Sequence, residues 1–251
     1  MMHLFILTAL IFGFSSAHAQ TESGAKDSLI ETAHYKNGDI APYALTTIGI
    51  ANPKYVVILM PGGDGKLTPR ASPDGQGVLF LKPGNFAIRI RTLIADHEFV
   101  TAETDSTVSI PSIERVKVII EDLQSKFPNA KIYVLSTSRG SQSIQDLSIA
   151  MDGKIAGFIN TSSLASVNHE LDTRGRKSRY LLVHHRYDSC KSTGYEGAVY
   201  NHKTYGTDLI TMEGGTIAGN VCGPQAHHGY LGIESETVLR IKAWLKQDKQ
   251  D

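Results

Sequence analysis

Three kinds of residue, far apart in the chain, have types and surroundings that suit chemistry: a serine at a tight turn, a carboxylate, and a pair of histidines. Lys131-Ile-Tyr-Val-Leu-Ser136-Thr137-Ser138-Arg139-Gly140 is a buried strand running into Ser-x-Ser-x-Gly, followed by a helical pattern through Ile149. That is the signature of a nucleophile elbow, a sharp turn that lifts the middle hydroxyl above the sheet edge. Small residues two positions to either side let strand and helix approach. Gly140 meets the need, and Ser136 stands where glycine is commonest. A hydroxyl is a poor nucleophile at neutral pH. It requires an imidazole to take its proton, a carboxylate to orient that imidazole, and donors for the developing oxyanion. Asp188 follows the apolar run Tyr180 to Val183, within His184-His185-Arg186-Tyr187-Asp188. Gln225-Ala226-His227-His228-Gly229-Tyr230 closes a glycine-containing stretch after Leu209 to Met212. Serine, acid and histidine thus occur in that order, each after a strand.

Competing readings share these residues. A serine-rich connecting loop would also contain Ser136, Thr137, Ser138, Ser141 and Ser143. A zinc site could draw on His184, His185, His227, His228 and Asp188. The chain lacks the His-Glu-x-x-His spacing, however, and a metal would leave Ser138 unexplained. Asp96, at the end of a strand expected over Arg89 to Ala95, is the alternative acid.

The elements needed to position these groups follow from periodicity. Tyr55-Val-Val-Ile-Leu-Met60 is a doubly buried strand that stops at Pro61-Gly62-Gly63-Asp64-Gly65. Further strands are expected at Phe86 to Ile94, Ile132 to Leu135, Ile155 to Ile159, Tyr180 to Val183 and Leu209 to Met212. Pro111 to Phe127 and Glu234 to Lys246 carry apolar residues at helical spacing. A polar lead-in precedes Tyr55. Strands alternating with helices imply an α/β fold, a mostly parallel sheet covered on both faces.

With this order and these turns, the chain resembles the α/β-hydrolase superfamily, in its small esterase and dienelactone-hydrolase-like branches. The likeness covers Tyr55 to Leu245 and rests on the elbow at Ser138 and the His228-Gly229-Tyr230 turn before the last helix. It implies Ser138 as nucleophile, His228 rather than His227 as base, and Asp188 as orienting acid. It also implies an oxyanion hole from the backbone N–H groups of Gly63 and Arg139, with Asp64 as the alternative to Gly63. Proline replaces the histidine common before the glycine pair. Cys190 and Cys222 lie two residues after the acid and six before the base, so a bridge between them would tie those loops together. Only Thr161 to Arg179 separates the runs where many relatives insert a helical cap, so no large cap domain is expected. An open site suits a short-chain or exposed acyl ester. The long Gly65 to Gly84 loop is a candidate wall of that site.

Composition narrows the classes. In 251 residues, 25 basic residues balance 25 acidic ones with no long block of either sign. That excludes the electrostatic footprint of a nucleic-acid binder. The expected partner is a small-molecule or polymer-end ester, with no cofactor and no metal. Leu4 to Phe14 is apolar and leads to Ala17-His18-Ala19, a signal-peptide pattern with cleavage before Gln20. Residues 1–19 are therefore expected to be removed and 20–251 to form one hydrolase domain. The protein would be secreted or periplasmic, without stable membrane insertion after cleavage, in an oxidising compartment where the two cysteines could pair. Peptidase chemistry by the same triad, or a non-catalytic binder keeping the fold, are the alternatives.

Overall fold

The structure, a computed structural model, describes residues 27–75, 77–108, 113–164 and 171–247. The expected signal segment lies outside them. Two strands, β1 (Asp27–His34) and β2 (Ile40–Thr47), form an antiparallel hairpin within the segment read as a polar lead-in. Their mixed composition hid them: Ala41, Tyr43, Ala44 and Leu45 are buried, but charged and polar residues surround them. The chain continues as β3 (Tyr55–Met60), the short hairpin β4 (Arg70–Ala71) and β5 (Val78–Leu79), α1 (Phe86–Ile94), and β6 (Phe99–Glu103). Next come α2 (Ile113–Lys126), β7 (Lys131–Thr137), α3 (Ser141–Ala150) and β8 (Gly157–Thr161). The last elements are β9 (Arg179–His185), α4 (Tyr195–Tyr205), β10 (Asp208–Met212) and α5 (Glu234–Lys246).

Eight strands form one sheet in the order β1-β2-β6-β3-β7-β8-β9-β10. From β6 to β10 every neighbouring pair is parallel. Parallel strands need crossovers, and the helices supply them on both faces. One face packs Val56, Ile58, Ile132 and Val134 against Val116, Ile119 and Leu123 of α2 and Ile144 and Leu147 of α3. The other packs Val57, Leu59, Tyr133 and Leu135 against Phe86 and Ile90 of α1 and Ile241 and Trp244 of α5. Alternating residues of β3 and β7 serve opposite faces, which is why both runs are apolar throughout.

Phe86 to Ile94, read as a strand from its Ile-Arg alternation, is a helix. Asn85 caps it, its side-chain oxygen accepting from the Ala87 N–H at 3.0 Å. The alternation arises because the helix is buried on two sides: Ile90 joins the core under the sheet, while Ile88 packs against Ala44, Leu67 and Phe80. The strand expected at Ile155 to Ile159 begins two residues later, at Gly157. β6 escaped notice altogether, since Phe99-Val-Thr-Ala-Glu103 ends in a charge that is nonetheless fully buried.

Candidate active site

β7 delivers Ser138 at its carboxyl end. The chain turns at once into a single 3-10 turn and then α3. Ser138 has φ of +53°, in the left-handed region that an L side chain occupies only under local constraint. The constraint comes from close backbone approaches. A Cβ on Gly140 would strike the Pro61 carbonyl and the Ser136 Oγ, and one on Gly62 would lie 2.7 Å from the Thr137 carbonyl and 2.9 Å from the Ser138 Cβ. Both positions admit glycine alone. Ser136 fits, buried, with its Oγ left without a hydrogen-bond partner.

The loop after β9 brings in Asp188, and the turn before α5 brings in His228. His228 Nε2 lies 2.9 Å from Ser138 Oγ, and its Nδ1 lies 2.9 Å from Asp188 Oδ2. A carboxylate only accepts, so Nδ1 carries the ring hydrogen and Nε2 presents a lone pair to the serine. Asp188 Oδ2 also accepts from the Thr193 hydroxyl at 3.1 Å, and Oδ1 from the Cys190 N–H at 3.0 Å. Burial pushes the Asp188 carboxyl up, but hydrogen bonds from His184 and His228 outweigh it and hold it below the usual carboxylate range.

The backbone of His228 is itself secured. Its carbonyl accepts from Ser162 Oγ at 2.7 Å, and the Tyr230 hydroxyl donates to the Val183 carbonyl at 2.7 Å. Ser162, at φ +45°, also donates its N–H to the Tyr230 oxygen at 3.0 Å. Nothing in the local pattern around Ser162 announces this role. Arg89 is a second residue the sequence reading overlooked. Its guanidinium donates to the carbonyls of Gly84 at 2.8 Å, Pro224 at 2.9 Å and Gly229 at 2.5 Å, and pairs with Glu234 at 2.9 Å. One side chain thus joins both walls of the cleft to the turn that follows His228.

The cleft holds about 330 Å³ and opens onto Ser138 and His228. Gly62, Gly63 and Thr137 line one side, while Lys82, Gly84, Asn85 and Phe86 line another. The Gly65 to Gly84 loop therefore contributes a wall, as expected. Lys82 pairs with Asp64 at the rim, so the Asp64 side chain points into an ion pair. Arg139 N–H belongs to the first helical turn after Ser138, where donors have no intrahelical acceptor. Gly63 follows directly on the glycine pressed against the elbow. Cys190 and Cys222 form a disulfide, and Cys222 lines the cleft.

The remaining candidates fall elsewhere. Asp96 sits in the turn before β6, at the opposite end of the sheet from Ser138, bonded to Lys242 and to the N–H groups of Glu98 and Phe99. Because the preceding segment is a helix, its end does not point to the cleft. His185 donates from Nε2 to the Gly214 carbonyl at 2.8 Å, accepts the Tyr187 N–H at Nδ1, and stacks on His227 at 4.2 Å. Among the described residues no group of three or more His, Cys, Asp or Glu is placed to hold a metal ion.

No family model and no curated protein matches the sequence. Solved structures do. A serine hydrolase without lid from Xanthomonas campestris aligns over 88% of this chain and 97% of its own, at 11% identity and a TM-score of 0.54. The fold is that of the α/β-hydrolases. An esterase domain from Rhodothermus marinus aligns over 87% of this chain and 97% of its own, at 11% identity and a TM-score of 0.58. Est1E from Butyrivibrio proteoclasticus aligns over 86% and 97%, at 14% identity and a TM-score of 0.57. Between β8 and β9 the α/β-hydrolase scaffold of this chain has only residues 162–178, too few for a large cap.

Proposed function

We propose that this protein is an exported serine hydrolase that cleaves an ester of a short or exposed acyl group through an acyl-enzyme. The reading rests on one observation: an unbroken chain of 2.9 Å contacts from Ser138 Oγ through the His228 ring to Asp188. Ser138 attacks the ester carbonyl while His228 Nε2 takes its proton. Asp188 holds the ring and stabilises its cation. The N–H groups of Gly63 and Arg139 stabilise the oxyanion. His228 then returns the proton to the departing alcohol, and water, activated by the same ring, releases the acid.

The apolar wall of Phe86, Pro224 and the disulfide suits an acyl chain of limited length, and the absence of a large cap leaves the site open to the ends of larger molecules. The disulfide supports an oxidising destination. Residues 1–19 would be the cleaved signal peptide, and 20–251 the single hydrolase domain.

A fluorophosphonate probe should label the wild type and fail on Ser138→Ala, which should also lose hydrolysis across a panel of p-nitrophenyl esters of rising chain length. An unlabelled, inactive wild type would favour a binding protein on this fold. Oligopeptidase B from Trypanosoma brucei also shares the fold, at 8% identity and a TM-score of 0.54, with this chain spanning 37% of its length. Faster turnover of p-nitroanilides than of esters would move the reaction to amides.

A further inference from the structure

The His228–Asp188 pair has a neighbour that motif order does not reveal. Thr193 lies in the loop between β9 and α4 and is buried. Its Oγ is 3.1 Å from Asp188 Oδ2 and 3.1 Å from His228 Nδ1. The carboxylate only accepts, so the threonine hydroxyl donates to it. The oxygen's lone pairs then face the His228 Nδ1–H, which Oδ2 already receives at 2.9 Å. Two hydrogens, one from each partner, close a triangle on a single carboxylate oxygen.

Thr193 is held at this spot through its backbone. Its N–H donates to the Cys190 carbonyl at 3.0 Å, and its own carbonyl lies 2.5 Å from His184 Nε2. A carbonyl only accepts, so Nε2 carries the hydrogen. The same nitrogen lies 3.5 Å from Asp188 Oδ2, while His184 Nδ1 is buried with no hydrogen-bond partner. His184, one of the last two residues of β9, therefore grips the threonine, and the threonine grips the acid and the base. The β-branch adds to this, since it restricts the side-chain torsion that aims the hydroxyl.

We propose that Thr193 is a positioning residue of the proton path, with His184 as its anchor. The inference rests on the reading of Ser138, His228 and Asp188 as the reacting group. Thr193 keeps its own proton throughout. The transferred proton moves from Ser138 Oγ to His228 Nε2, and Thr193 fixes the Asp188 oxygen and the ring plane that receive the resulting cation.

Thr193→Val preserves shape and removes the hydroxyl; Thr193→Ser keeps the hydroxyl. The valine variant should lose about tenfold to a hundredfold in kcat at unchanged KM, the scale of a hydrogen bond to a charged group. The serine variant should stay within a few-fold of wild type. In proton NMR the downfield His228 Nδ1–H resonance should move in the valine variant and not in the serine variant. Thr193→Ala gives the same comparison should valine impair folding. Equal losses in the valine and serine variants, or a valine variant matching wild type in both kcat and resonance, would overturn the proposal. A wild type that neither hydrolyses esters nor labels at Ser138 would instead defeat the hydrolase reading. The resonance would still report whether the threonine hydroxyl touches His228.

Discussion

Asp188 concentrates the demands of the proposed chemistry on one side chain. Buried, it is kept ionised by donors from His228, Thr193 and the Cys190 backbone. An asparagine there would keep the shape but lose the charge, and its amide could donate to Nδ1 and stabilise the wrong ring tautomer. Asp188→Asn should therefore fold normally by circular dichroism while turnover falls by about 10⁴-fold, the loss known for the best-studied serine triad. A rate within tenfold of wild type would show that Asp188 does not orient the His228 ring or stabilise its cation. Asp96, the alternative acid, is engaged by Lys242 away from the cleft.

At the scale of elements, the site is three loops at the carboxyl ends of β7, β9 and β10 that must keep register with one another. The disulfide ties the loop after β9 to the long segment between β10 and α5. Cys190 also donates its N–H to Asp188, and Cys222 lines the cleft, so the bridge reaches from Asp188 to the cleft wall. With the cysteines 32 positions apart, the chain-entropy model assigns the closure about 4 kcal/mol. Treatment with reductant should expose two alkylatable thiols, lower the thermal midpoint and reduce kcat/KM. Reduction that leaves both midpoint and kcat/KM unchanged would show that Arg89 alone, through Gly84, Pro224 and Gly229, suffices to hold the walls.

For the molecule as a whole, Glu103 is a buried carboxyl that the proposed chemistry does not use. Burial raises its carboxyl from 4.5 to about 7, against hydrogen bonds from Thr101 at 2.5 Å and Thr46 at 3.0 Å that lower it. The unfolded chain gives up this proton near 4.5, while the folded chain keeps it until about 7. Its contribution to stability is therefore complete below about pH 4.5 and is lost as the pH rises to about 7, a span worth about 3 kcal/mol. Glu103→Gln removes the ionisation, so the stability of this variant relative to wild type should climb between about pH 4.5 and about pH 8 in denaturant titrations. A difference independent of pH would mean that Glu103 ionises alike in both states.

Much of the scaffold was legible because it is written locally. Continuous apolar runs with β-branched residues at Tyr55 to Met60 and Ile132 to Leu135 record strands buried on both faces, and α5 occupies Glu234 to Lys246 as its spacing predicts. The elbow at Ser138 and the turn at His228 were likewise readable, since each needs small residues at set offsets. Local patterns failed where an element is buried on more than its expected side. The alternation in α1 mimics a strand because the helix meets two cores, and β6 carries a buried glutamate that no periodicity predicts. From sequence alone came the candidate serine, carboxylate and histidine, their order and the bridge that could join their loops. Tertiary structure alone decided that Arg89 meets Gly229 across 140 positions, that Ser162 holds the His228 carbonyl across 66, and that Thr193 completes the triangle on Asp188. Such contacts leave no periodic trace: they depend on where two distant backbones come to rest, and only the packed sheet determines that.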